Sequence, residues 1–172
     1  SALQLMAAAL LFAGIGLAAK NASQTYARHW VALGLIFVFL SFDESIQIHE
    51  KFDSNSLLSF MNTTGLLAWP WIIVYGTLVL IFVLIFTRFW WALPPRHRIR
   101  IALCGIVYVV AALGFEALGA REWTTQGGKT ITYLGLLTIE ETLEMLAIAT
   151  LLYSLMRYMS EQLPPIGIEI RR

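Results

Sequence analysis

Long apolar runs, separated by short polar clusters, make up most of this chain. Runs of this length are typical of helices that cross a bilayer, where a helix satisfies its own backbone hydrogen bonds. We therefore predict an all-α fold, a multi-pass transmembrane helical bundle that forms a single integral membrane domain over residues 1–172. Its spans, about five in number, are predicted at residues 2–19, 29–50, 66–91, 101–118 and 131–159.

Turn-forming residues mark the ends of these spans. A polar turn follows the first run at residues 20–28. Pro94 and Pro95 end the third span, because proline cannot continue a helix, and they lead into a basic loop at residues 96–100. A glycine-rich loop is predicted between the last two spans, at residues 119–130.

The composition agrees with a membrane protein. Of the 172 residues, 58% are hydrophobic and 13% are charged, which lies outside the range of soluble domains. The mean hydropathy is +0.70. Because the chain is so hydrophobic, membrane lipid is its expected surrounding. A net charge of +1 gives no indication of nucleic-acid binding, so no nucleic-acid partner is expected. The single cysteine, Cys104, excludes a disulfide framework or a cysteine metal cluster.

The distribution of basic residues predicts an orientation. One side of the membrane holds most of the Lys and Arg residues, among them Arg28 and Arg98, whereas the other holds Lys51, Arg121 and Lys129. Because basic residues are retained on the cytoplasmic side, we expect the C-terminus in the cytoplasm and the N-terminus outside.

Ionisable residues interrupt two predicted spans and lie near the end of a third. Each ionisable group at membrane depth costs a few kcal/mol, so a stretch that carries several of them usually marks a site. Helical rise places Glu44 about 10 Å, and Glu140 about 13 Å, from the outer ends of their spans. In a regular helix, His49 points away from the face of Asp43. We expect one layer in the outer half of the membrane to contain Asp43, Glu44, His49, Glu50, Glu116, Glu140, Glu141 and Glu144.

A metal site is the first interpretation of this layer. No Lys or Arg lies in the outer half of a predicted span, so protons, metal ions or a partner must neutralise the carboxylates. Carboxylates and a histidine on helix faces are the ligands of metal sites in bundle cores. The usual Glu-x-x-His motif is absent, since Glu141 and Glu144 form Glu-x-x-Glu. We predict that these eight residues bind one or two divalent ions, and Fe, Mn, Zn and Ca all stay open.

Two alternatives use the same residues differently. The carboxylates form a ladder of protonatable groups, which suits proton or cation translocation, although no acidic residue continues the ladder into the cytoplasmic half. The chain also has little mass outside the membrane, which is typical of an accessory or scaffold subunit of a larger membrane complex, or of a homo-oligomer. No nucleophile triad or phosphate loop is present to indicate a particular reaction, and whether the protein is an enzyme stays open.

Other polar residues are expected to have structural roles. His29 and His97 lie among basic residues at the cytoplasmic side, where we expect them to be solvated. Tyr75, Tyr108 and Tyr133 lie in apolar runs and are expected to pack against neighbouring helices or to lie at the membrane interface.

Two motifs carry a resemblance. FLSFDESIQIHE in the second span and TIEETLEMLAIATLLYSLMRY in the fifth resemble an uncharacterised group of small bacterial multi-pass membrane proteins. The resemblance implies a location in the bacterial inner membrane and implies no function. The ferritin-like bundles with two metal ions are similar in ligand type alone.

Overall fold

The computed structural model describes residues 1–49, 51 and 63–163. Within these ranges the chain forms long helices and one short 3₁₀ helix, and it contains no strand, which confirms the all-α prediction. Glu50, residues 52–62 and the predicted tail at 164–172 lie outside the described residues. The long helices are α1 (Ala2–Asn21), α2 (Ala27–Ile46), α3 (Trp71–Ala92), α4 (Pro95–Gln126) and α5 (Ile131–Gln162).

Four of these helices are suited to cross a membrane. α1, α2, α3 and α4 are long and apolar enough, with a mean hydropathy between 1.4 and 2.4 in their most apolar windows. α5 is as long as α4, at 32 residues, but it carries three glutamates in its first half. It packs against α4 from Glu140 to Glu161, so it belongs to the same bundle. The prediction of a multi-pass helical bundle is confirmed.

The first two helices form a close antiparallel hairpin. A Cβ atom added at Gly16 would lie 2.7 Å from Cγ2 of Val31, and one added at Gly34 would lie 3.2 Å from the carbonyl oxygen of Ala9. Glycine at these two positions lets the backbones approach, as is common between membrane helices. The hairpin brings the start of α1 to the end of α2, where the Ser41 hydroxyl donates to the carbonyl of Ala2 at 2.9 Å.

The two ends of the bundle differ in composition. The basic end is where α1 and α5 finish and α2 and α4 begin, and it carries Lys20, Arg28, Arg96, Arg98 and Arg100. Aromatic rings fill the core beside it. Trp30 is 2% exposed and contacts Phe89 and Tyr158, each at 4.9 Å between ring centroids. The opposite end, the acidic end, carries Glu44, Glu116, Glu140 and Glu144.

α3 is held to the bundle mainly near its two ends. At the acidic end, Trp71 and Ile72 pack on Ala120 of α4. At the basic end, Phe86 and Phe89 join the aromatic core. The middle of the helix exposes large apolar side chains in several directions, and these are Leu78, Leu80, Ile81, Val83, Leu84 and Ile85.

Several predicted boundaries are wrong. α2 ends at Ile46 rather than at residue 50, because Gln47 adopts a left-handed conformation with φ 50° and ψ 54°. The glycine-rich loop starts later than predicted, since α4 continues to Gln126 and ends at the left-handed Gly127. The predicted basic loop at residues 96–100 is instead the first turn of α4, where Pro95 occupies a favoured position for proline.

α4 contains a π-helical segment, Val110–Phe115, between its two α-helical parts. A π turn holds an extra residue, so it rotates the part that follows relative to a continuous α-helix. Such segments are frequent at functional sites. Here the segment immediately precedes Glu116.

Candidate functional site

Carboxylates from three helices come together at the acidic end. The carboxyl groups of Glu116 and Glu140 lie within hydrogen-bonding reach of each other. Glu144, which is 8% exposed, interacts electrostatically with Glu44 of α2 and with Glu116. A hydrogen bond between two carboxyl groups needs a proton on one of them, because an ionised carboxylate only accepts. Such a contact is favourable only when one of the two groups carries a proton.

Tyr108 lies near this carboxylate layer, on the same helix as Glu116. Its hydroxyl interacts electrostatically with Glu144, Glu44, Asp43 and Glu140. Tyr108 was expected to pack against a neighbouring helix or to lie at the membrane interface, because a tyrosine within an apolar run has no pattern of its own. The sequence did contain one indication that Tyr108 is near the site, since it precedes Glu116 by eight residues, about two helical turns.

Asp43 holds His49 at the end of α2. The backbone N–H of His49 donates to Oδ1 of Asp43 at 3.0 Å, and Nδ1 of His49 lies 3.0 Å from Oδ2. Since the carboxylate can only accept, Nδ1 carries the hydrogen. The left-handed turn at Gln47 brings His49 back towards Asp43, whereas a regular helix would direct it away.

Two aromatic residues of α3 complete this group. The Trp71 ring lies 4.5 Å from the imidazole of His49, and the Tyr75 ring lies 6.1 Å from it. The buried Tyr75 hydroxyl lies beside Asp43 without meeting regular hydrogen-bond geometry. Tyr75 thus interacts with the site rather than with neighbouring helices alone.

The remaining predicted residues differ in their placement. Glu44 accepts a hydrogen bond from the Ser1 hydroxyl at 2.5 Å. Glu141 is exposed on the outside of α5 and interacts with Glu140 through charge alone. Glu50 lies outside the described residues. The structure therefore groups Asp43, Glu44, His49, Glu116, Glu140 and Glu144, and it leaves Glu141 apart.

The donor geometry bears on the metal prediction. In the described part of the chain, no three side chains of His, Cys, Asp or Glu are grouped as the ligands of a metal ion. The Asp43–His49 pair has the orientation that metal-binding histidines often show, with a carboxylate on one ring nitrogen. Metal binding at this layer stays a prediction.

One family model matches nearly the whole chain, including the residues of the carboxylate layer. A family model, described as a domain of unknown function, DUF8692, matches residues 1–158. The chain belongs to the DUF8692 family. The match confirms the resemblance to an uncharacterised group, and it ends three residues before Glu161. No curated protein and no solved structure matches the chain.

In this DUF8692 chain, polar side chains continue along the α4–α5 interface beyond the carboxylates. The Cys104 thiol, one turn from Tyr108, lies beside the Ser154 hydroxyl. Ser154 is 1% exposed and donates to the carbonyl of Thr150 at 2.8 Å. Further along α5, Tyr158 contacts Trp30, and its hydroxyl lies beside the indole.

At the basic end, His97 joins α4 to α5. Its Nε2 atom lies 3.1 Å from Oε2 of Glu161, and its ring contacts Tyr158 edge to face at 5.3 Å. His97 is 2% exposed, and its Nδ1 atom is buried without a hydrogen-bond partner. The prediction that His97 is solvated is wrong, because the helix that begins at Pro95 turns this side chain towards α5.

Glu161 is shared between two partners. Its Oε1 atom accepts a hydrogen bond from Nε of Arg157 at 2.8 Å, while Oε2 faces His97. Glu161 lies beyond the predicted span, and the hydrogen bond from Arg157 holds its pKa below the usual range. It is therefore ionised and acts as an acceptor for both neighbours.

Proposed function

We propose that this membrane protein takes up protons at the carboxylate layer and conducts them across the membrane. The observation that carries the proposal is the pair formed by Glu116 and Glu140, whose carboxyl groups lie within hydrogen-bonding reach. The main electrostatic partners of Glu140 are other carboxylates, namely Glu116, Glu144 and Glu141. A site of this composition needs positive charge, and a proton is the smallest group that supplies it.

The physical argument is one of charge in a low dielectric. Several carboxylates that share a poorly solvated layer cannot all be ionised, because each unpaired charge there costs several kcal/mol. Protons that bind to such a layer are exchangeable, since each carboxyl group has a neighbour that can take over the proton. His49, whose side chain is 18% exposed, links the buried Asp43 to the surroundings of the layer.

The orientation supports a direction for this exchange. The Lys and Arg residues at the basic end favour a cytoplasmic location for that end, including the C-terminus. The acidic end then faces the outside of the bacterial inner membrane, which is the location that the family resemblance implies. Reactivity of a single cysteine introduced at Arg98 towards impermeant reagents tests this orientation, and labelling from outside the cell would contradict it.

Proton flux into liposomes tests the function. The full chain is reconstituted with a trapped pH-sensitive dye, and a potassium gradient with valinomycin supplies the driving force. We expect flux in the wild type and a loss of about 100-fold in Glu140→Gln, the typical size of an acid–base contribution. Glu141→Gln is the matched control, because Glu141 is the next residue of the same helix and is exposed. Absence of flux in the wild type, or equal losses in both variants, would contradict the proposal.

A divalent metal ion at the same layer is the second candidate. One observation favours it: Asp43 binds Nδ1 of His49, as second carboxylates do at metal-bound histidines. Elemental analysis of natively purified protein, beside the double variant Glu44→Gln, Glu144→Gln, distinguishes the two. Stoichiometric metal that is lost in the double variant supports the metal site. A native protein with far less than one metal ion per chain would support proton binding at this layer instead.

A role inside a larger assembly also stays a prediction. The chain exposes large apolar side chains on most of its helices, as expected for contact with lipid or with other subunits. The size of the particle that is extracted from native membranes in mild detergent tests whether the chain is an accessory subunit or a homo-oligomer. A monodisperse monomer would contradict both assemblies and is compatible with proton conduction.

A further inference from the structure

Conduction requires a route from the carboxylate layer to the basic end. The sequence supplies no acidic residue along this stretch, which counted against transport. The α4–α5 interface supplies other groups that can exchange protons, and they lie on both helices. They are Tyr108, Cys104, Ser154, Tyr158 and His97.

The intervals between these groups are short. Tyr108 and Cys104 are one helical turn apart, about 6 Å along the axis, and Ser154 and Tyr158 are separated by the same rise. The Cys104 thiol and the Ser154 hydroxyl lie beside each other across the interface. Tyr158 contacts His97 directly, with 5.3 Å between the rings. Transfer between groups that are not in contact would need bridging water molecules.

His97 has the chemistry of a transfer group. Glu161 is an acceptor, so the hydrogen of the neutral imidazole lies on Nε2, and the lone pair of Nδ1 is left without a partner inside the protein. An imidazole with a donor towards the surface and a buried acceptor can receive a proton on one nitrogen and release another from the second. Acceptance of a proton would by itself account for the buried Nδ1 lone pair of His97.

We propose that His97 and Glu161 form the proton-transfer pair at the basic end, and this rests on the proposed conduction. A proton that arrives from the membrane interior forms the Nδ1–H bond. The Nε2–H bond then breaks, and that proton passes to Oε2 of Glu161. Glu161 is partly exposed and releases the proton to the solvent. The imidazole is then neutral with its hydrogen on Nδ1, and loss of that hydrogen together with uptake of one on Nε2 from the solvent at the basic end restores the starting tautomer.

The charged groups around His97 are compatible with this pathway. On α5, Arg157 holds the other oxygen of Glu161, and Tyr158 covers the ring of His97. On α4 itself, the Arg98 guanidinium lies over the ring of Trp91 at 4.5 Å, so its charge is directed elsewhere. From α2, Trp30 contacts Tyr158 and packs within the aromatic core.

The liposome assay tests the pair. We expect His97→Ala to lower the proton flux about 100-fold, and imidazole added to both sides to restore a substantial part by occupying the space of the missing ring. His29→Ala is the matched control. His29 lies at the same end with a buried, unpartnered Nδ1, but it stacks on Phe89 away from Glu161, and we expect unchanged flux.

Glu161→Gln provides an independent variant that keeps the shape of the acceptor. It should lower the flux without response to imidazole, and helical circular dichroism with size-exclusion profiles confirms that each variant is folded. Flux that is unchanged in both His97→Ala and Glu161→Gln, with Glu140→Gln inactive, would overturn the pair and leave the proposed function standing. A wild type without flux would overturn the proposed function, and the pair with it.

Discussion

The ionisable groups at the acidic and basic ends of the bundle are arranged in opposite ways. At the acidic end, Glu116, Glu140 and Glu144 crowd together, and other carboxylates are prominent among their neighbours. At the basic end, His97, Glu161 and Arg157 form a chain of complementary partners. Crowding of like groups costs stability and makes proton affinity adjustable, whereas pairing stabilises the contact between α4 and α5. Stability measurements on variants at each end can break or sharpen this comparison.

The largest expected effect concerns the hairpin that supports both ends. Gly16→Leu would force a side chain against Val31, where even a Cβ atom lies within 2.7 Å, and we expect a loss of about 3 kcal/mol in the free energy of unfolding. Gly14→Leu is the matched control, because nothing lies within 4 Å of a Cβ atom there. Denaturation in detergent micelles measures both. Equal losses would show that helix propensity, rather than close approach, is responsible.

Removal of the imidazole tests the paired end. We expect His97→Leu to lower the free energy of unfolding by about 2 kcal/mol, since the nearly buried ring loses a hydrogen bond to a charged acceptor and its contact with Tyr158. A thermal melt followed by circular dichroism measures the change. An unchanged melt would mean that the pair contributes nothing to the contact between α4 and α5.

Replacement of a carboxyl group by an amide tests the acidic end, where we expect the free energy of unfolding to change in the opposite direction. Glu140→Gln removes a carboxyl group from the layer while keeping its shape, and we expect the free energy of unfolding to rise by about 1 kcal/mol, as happens when strained functional groups are replaced. Glu141→Gln should be neutral, because that side chain is exposed. A destabilised Glu140→Gln would indicate that the layer is held together by the carboxylates, as at a structural site.

The smallest effect is a pH dependence at the basic end. The folded-state pKa of Glu161 is lowered by Arg157, so the pair contributes stability above the ordinary glutamate pKa, and this contribution is lost as the pH falls through the lowered value. The difference in melting temperature between wild type and Glu161→Gln should therefore be present at neutral pH and disappear in acid. A difference that persists at low pH would show that charge is not its cause.

Much of this arrangement follows from helical rise alone. Counting residues from the ends of the predicted spans places Glu44 and Glu140 at similar depth, but it places Glu116 close to the end of its span. Because α4 continues to Gln126, Glu116 lies deeper than predicted, and the structure brings its carboxyl group to that of Glu140. The contact between His49 and Asp43 could not be predicted, because it depends on the left-handed conformation of Gln47, which carries no strong sequence signal. His97 was assigned to solvent from its basic neighbours, although those neighbours point outward on the same helix while His97 points inward.

Glu141 illustrates a further limit of spacing. It lies within the same arc of α5 as Glu140 and Glu144 in a helical projection, yet it is exposed while Glu144 is buried. An arc of about 100° is as wide as the whole contact face of a helix, so residues at its edges can fall outside the contact. The packing partner decides which edge is covered, and the sequence of α5 alone does not identify that partner.

The attachment of α3 by its ends has a mechanical consequence. Trp71 is packed at one end of the bundle and Phe89 at the other, so the length of α3 matches the spacing between those ends, and its middle exposes apolar side chains. A thicker or thinner bilayer changes the cost of this match by a fraction of a kcal/mol per Å, and α3 transmits the resulting load to its two anchor points. We therefore expect membrane thickness to act on the two ends of the bundle through α3, whose anchor points are Trp71 and Phe89.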